Sequence, residues 1–93
     1  MNRRKNWQQK YTGKYEKDLI ITTSLINKIE VQNQEVCEKL KTVFYCTIQN
    51  KETMCIVWGR TTFGAGDEIT MTGRINENNV FLVWKYLYQR REQ

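Results

Sequence analysis

Val43-Phe-Tyr-Cys-Thr-Ile-Gln-Asn-Lys-Glu-Thr-Met-Cys-Ile-Val-Trp-Gly-Arg60 decides the fold. Two runs of β-branched, aromatic and sulfur-bearing residues, Val43–Gln49 and Thr53–Arg60, flank a short polar break at Asn50–Glu52. That pattern predicts a β-hairpin. With Asn50 and Lys51 as the central pair of the turn, Phe44 faces Val57, Cys46 faces Cys55 and Ile48 faces Thr53. This side is almost wholly apolar and is the expected core face. The other side pairs Val43 with Trp58, Tyr45 with Ile56 and Thr47 with Met54, and ends in Arg60. Side chains alternate along a strand, so one register assigns both faces at once.

Outward from the hairpin, three more runs carry strand signals: Leu19–Val31, Glu68–Ile75 and Val80–Tyr88. The first is long enough to curve through both halves of a barrel. Glu35–Lys41 reads as a short helical turn with Val36 and Leu40 on one side. In the fourth run Ile69, Met71, Gly73 and Ile75 share a face opposite Thr70, Thr72 and Arg74. In the last, Trp84, Tyr86 and Tyr88 alternate onto one side, which assigns Trp84 to core or interface packing. Five strands in about 70 residues make a poor sandwich but close well as a small barrel, which removes exposed edges. Gly73 and Gly59 mark the bends or close approaches that a tight barrel needs. The predicted class is all-β, with a basic N-terminal arm (1–18) that is partly helical, a barrel over 19–89 and a basic tail over 90–93.

The chain has 93 residues and a net charge of +5. Residues 1–18 hold six bases against Glu16 and Asp18, while 19–93 hold nine bases against eight acids. Nearly all the excess charge therefore sits in the arm, which points to a polyanion partner or a solubilising tail. Trp7, Tyr11 and Tyr15 recur at helical spacing in the same arm. Two readings stay open: a lid over the core, or rings that stack on bases while lysines hold phosphates.

The composition excludes several classes. Without histidine or proline there is no histidine-based triad. Cys37, Cys46 and Cys55 form no CxxC pair, so neither zinc nor any other cofactor is expected. With no secretion signal, a reducing, cytoplasmic setting is the expected one. No apolar run spans a membrane and the first residues do not resemble a secretion signal. Asp67-Glu68 are adjacent and point apart in a strand, and Gly64-Ala-Gly66 lacks the lysine of a phosphate loop. No catalytic activity is expected.

Met54–Arg60, Gly66–Ile75 and Val80–Tyr86 together resemble the OB-fold. The similarity is to the nucleic-acid-binding domains of bacterial single-stranded DNA-binding proteins and to anticodon-binding domains. Trp58-Gly59-Arg60 matches the end of their third strand. Gly66, Asp67, Ile69, Met71, Gly73 and Arg74 match the start and body of their fourth. The chain departs from the pattern in having no room for a helix between strands three and four, since Thr61–Gly66 is too short. The N-terminal aromatic segment is then the expected closure of the barrel bottom.

The resemblance implies binding of single-stranded nucleic acid, DNA ahead of RNA, with little sequence preference, in replication, recombination or repair. Tyr45 and Trp58 would be the stacking rings. Arg60, Arg74 and Lys41, with Lys10, Lys14, Arg3 and Arg4 of the arm, would be the phosphate-binding cations. Lys85 and Arg90-Arg91 would either add contacts or stay solvated. The competing expectation is a protein-interaction subunit that docks on a replication or repair protein, or on a second copy, through a patch of Trp58, Leu82 and Trp84. The near-neutral body favours that alternative. Membrane binding ranks last, because only Trp7 could anchor it.

Overall fold

The computed structural model describes residues 19–91, and the arm readings for Trp7, Tyr11, Tyr15, Arg3, Arg4, Lys10 and Lys14 lie outside them. Five strands follow in chain order: β1 (Ile20–Val36), β2 (Lys39–Ile48), β3 (Lys51–Trp58), β4 (Glu68–Ile75) and β5 (Phe81–Gln89). They close into a barrel in the order β1-β2-β3-β5-β4. All neighbours are antiparallel except β3 and β5, which pair in parallel at Cys55↔Phe81 and Ile56↔Leu82. This order is compatible with an OB-like fold.

β1 serves two neighbours, as its length predicts. Ile20–Leu25 pair with β4, and Ile26–Val36 pair with β2. The second half is irregular, with register shifts after Ile26, Ile29 and Val31. Such bulges sharpen the local bend and twist, which lets one strand turn a corner of the barrel.

The β2–β3 hairpin corrects the expected register by two residues. Phe44 faces Cys55, Cys46 faces Thr53 and Ile48 faces Lys51. The turn residues are Gln49 and Asn50, with φ of 54° and 66°. Both are left-handed, the pattern of a type I′ turn, whose twist matches that of the flanking strands. A shift of two keeps every side chain on its predicted face, so the inner set survives. Glu35–Lys41 is not helical. Cys37 and Glu38 (φ 51° and 67°) make a second two-residue hairpin turn between Val36 and Lys39. Pairing of the strands on both sides overrides the weak helical pattern.

The core draws on every strand: Ile26, Phe44, Cys46, Ile48, Cys55, Val57, Ile69, Met71 and Phe81, joined by Phe63 from the loop. Cys46 and Cys55 are buried free thiols, and Cys37 is exposed. The Cys46 thiol beside it, together with burial, pushes the Cys55 thiol well up, so it packs as a neutral group.

Phe63 also replaces the missing helix. It is 1% exposed and meets Phe44, Tyr86 and Tyr88 edge-on, with centroids 5.0, 5.4 and 5.8 Å away. The loop is stitched to the irregular part of β1. Gln32 Nε2 donates to Phe63 O (2.8 Å), Thr61 N donates to Asn33 Oδ1 (2.8 Å), and the buried hydroxyls of Thr42 and Thr61 are 2.9 Å apart. Asp67 holds the far end, accepting from Gly64 N at 2.8 Å, while its carbonyl accepts from Ile26 N at 2.9 Å. This loop thus packs into the barrel from within 19–91, while the closure expected of the N-terminal aromatic segment lies outside the described residues.

β5 holds a further correction. Thr72 faces Lys85 and Gly73 faces Val83, so Trp84 is an extra, unopposed residue. Phe81 and Val83 point inward before this bulge, and Tyr86 and Tyr88 after it. Trp84 therefore does not share a face with the tyrosines. It is 68% exposed, which overturns the core half of the role expected for it.

Candidate functional site

The outer face of β2 and β3 is built by alternation. Each inward residue on the barrel wall leaves its neighbours facing out. Lys41 lies opposite Trp58, Val43 opposite Ile56, Tyr45 opposite Met54 and Thr47 opposite Glu52. Val43 is buried yet lies outside the core cluster, because its neighbours on this outer face cover it.

Both rings assigned from the sequence reach this face. Trp58 is 50% exposed and carries the Lys41 ammonium 5.7 Å from its ring centre. Tyr45 is half-buried, with the Lys28 ammonium 4.8 Å from its ring. These distances are within the range of cation–π attraction. The Tyr45 hydroxyl donates to Glu30 Oε1 at 2.9 Å. That bond, with smaller contributions from burial and the Glu30 and Glu52 charges, holds the phenol above its ordinary pKa.

The assigned cations are spread more widely. Lys41 lies against Trp58, and Arg60 follows two residues later, past Gly59, whose φ of 113° suits glycine. Arg74 sits on β4 opposite Leu82, which pairs with Ile56, so it is two strands from the hairpin face. Lys28, Glu30 and Trp84 were not assigned to the site from the sequence. Lys28 comes to Tyr45 only through the register shifts of β1, which leave no trace in hydrophobic periodicity. Lys85 Nζ stands 5.8 Å from the Trp84 ring.

A second exposed surface lies on the outside of β1, β4 and β5. The rows there are Ile21–Thr72–Lys85, Thr23–Thr70–Leu87 and Leu25–Glu68–Gln89. Ile21 is 73% exposed and Leu87 78%. Among the described residues no cluster of histidine, cysteine or carboxylate groups could hold a metal ion, and no helix is long and apolar enough to cross a membrane.

No family model matches the chain, and neither the curated proteins nor the solved structures hold a match to it. The residues and geometry above therefore carry the functional reading by themselves.

Proposed function

We propose that this barrel binds single-stranded nucleic acid on the outer face of β2 and β3. One observation carries the reading: Tyr45 and Trp58 stand on that face, each with a lysine ammonium over its ring. An exposed ring takes the flat face of a base, and the cation beside it takes the phosphate. Stacking tolerates any base, so little sequence preference follows. The resemblance to single-stranded DNA-binding proteins places DNA ahead of RNA. It also suggests an accessory role in replication, recombination or repair, in the cytoplasm.

The test is a titration of labelled single-stranded and duplex oligomers at several salt concentrations. Lys28, Lys41, Arg60, Arg74 and Lys85 contribute up to about 3.5 to the fall of log K with log salt, at roughly 0.7 per phosphate contact on a single strand. Arg3, Arg4, Lys10 and Lys14 of the arm add to that slope. Trp58→Ala weakens binding about 5- to 150-fold, the value of one stacked base.

Absence of single-strand binding at low salt refutes this reading and promotes a second one, a subunit that docks on another protein. The apolar face of Ile21, Leu25 and Leu87 favours that second reading, since large exposed side chains in one place suit a protein contact.

A further inference from the structure

We propose that the β5 bulge is a binding device that presents Trp84 as a further stacking station, so that the bound strand runs from Tyr45 past Trp58 and across to β5. The inference rests on the nucleic-acid reading above and extends it to a residue on another strand.

The bulge inserts one unopposed residue between Val83 and Lys85. Packing requires the parity change there, since it buries Phe81 and Val83 before the bulge and Tyr86 and Tyr88 after it. Packing does not require the inserted residue to be tryptophan. An indole left 68% exposed adds little to the core, and a small polar residue would serve the bulge as well.

Gly73 locks the feature in place. A Cβ at Gly73 would lie 2.1 Å from the Leu82 carbonyl oxygen and 3.1 Å from Val83 Cα. Both obstacles are backbone atoms, so only glycine allows β5 to approach β4 this closely. Bulges commonly re-aim side chains in this way.

The position of Trp84 links it to Trp58. β3 and β5 run parallel with Ile56 beside Leu82. Trp58 lies two residues beyond Ile56, and Trp84 two beyond Leu82. The two indoles therefore leave the same end of the β3–β5 joint on the outer side.

Bases outnumber acids around that end, where Glu35 and Glu38 lie on the hairpin tip beyond Lys41. Lys41 stands by Trp58, Lys85 by Trp84, Arg60 follows β3, and Arg74 faces Leu82. The carboxylates of the hairpin face, Glu30 and Glu52, sit toward Tyr45 instead. Two exposed rings, each with a lysine ammonium beside it, suit a polyanion with flat bases better than a neutral protein surface.

The test uses the full chain and labelled oligothymidylates of increasing length. Trp84→Ala leaves the thermal midpoint unchanged and weakens binding of the longer oligomers about 5- to 150-fold. Affinity for the shortest bound oligomer, too short to reach β5 from Trp58, stays the same. Trp84→Tyr keeps the ring and recovers most of the loss. Lys85→Gln lowers the salt slope by about 0.7. If the unsubstituted protein and Trp84→Ala bind every length equally while Trp58→Ala is weakened, the station is refuted and the hairpin-face reading stands. If the unsubstituted protein binds no single strand at any length, the nucleic-acid reading itself fails, and the station with it.

Discussion

Replacing Phe63 by alanine tests whether the loop between β3 and β4 is part of the barrel's core or only a strap over it. A buried phenylalanine removes about 150–250 Å² from water. At about 25 cal/mol/Å² that is roughly 4–6 kcal/mol, and the residual compactness of unfolded chains trims it by about 10–40%. The expected loss is about 3–5 kcal/mol, in line with other buried phenylalanines cut to alanine. The three edge-on contacts to Phe44, Tyr86 and Tyr88 favour the upper half of that range. A domain of this size holds only about 4–11 kcal/mol in all. The midpoint of thermal unfolding should fall by roughly 12–40 °C, read by circular dichroism and checked by urea titration with an unchanged slope. Phe63→Leu keeps most of the volume and should cost about 1.5 kcal/mol or less. A drop of under about 5 °C for Phe63→Ala would refute the reasoning. The loop would then open without disturbing the barrel, and closure would have to come from elsewhere in the chain.

Two further outcomes follow from the local geometry. Exchanging Gln49-Asn50 for Asn-Gly places the residues most tolerant of left-handed backbone in a turn that requires it twice. It should raise stability by up to about 1 kcal/mol, or about 4–8 °C in melting, and a loss of stability would rule out this turn. Glu30→Ala removes the carboxylate that accepts from the Tyr45 hydroxyl. In a difference ultraviolet titration the Tyr45 phenol should then ionise at lower pH than in the parent, with Tyr45→Phe identifying its share of the signal. Because the native phenol is held up, its contribution to stability is complete below the unfolded value near 10 and is lost as pH rises through the folded value. The parent should accordingly lose more stability than Glu30→Ala over that alkaline range. Equal midpoints in the two proteins would mean the hydrogen bond does not persist in solution.

The faces of the hairpin were legible because strand alternation has a period of two. Placing the turn at Asn50-Lys51 instead of Gln49-Asn50 moved the pairing by two, and Phe44, Cys46, Cys55 and Val57 stayed inside. The turn itself was obscure because it contains no glycine, the residue that would mark left-handed positions. Trp84 was misread for the opposite reason. A bulge changes the parity by one, and nothing in Leu82-Val83-Trp84-Lys85 signals the extra residue except Gly73 on the facing strand. Phe63 was missed because a single aromatic in a loop of Thr, Gly and Ala has no periodicity to report its burial. Only the neighbours Phe44, Tyr86 and Tyr88, distant in sequence, define its pocket. Tyr45, Trp58 and Lys41 were recoverable because they lie on regular strand, and Lys28 was not, because its register depends on the irregularities of β1.

The net charge of the body, close to neutral, weighs against a nucleic-acid partner only if the charges are averaged over the whole surface. The structure distributes them unevenly. Asp67 is buried and accepts from the Gly64 backbone amide of the loop. Glu68, at the other end of β4 from Arg74, stands 3.7 Å from Arg91. Glu35 and Glu38 belong to the tip of the first hairpin, and Glu77 to the turn between β4 and β5. At about 0.1 M salt, exposed charges more than roughly 10 Å apart hardly influence one another. A ligand at the proposed β3–β5 site would therefore meet Lys41, Arg60, Arg74 and Lys85, with Glu35 beside the strand partner of Lys41 offsetting them in part. The five strands close into one barrel, with β3 meeting β5 at Cys55↔Phe81 and Ile56↔Leu82, and both faces present side chains outward. The contacts proposed on either face can then be tested by removing one side chain at a time.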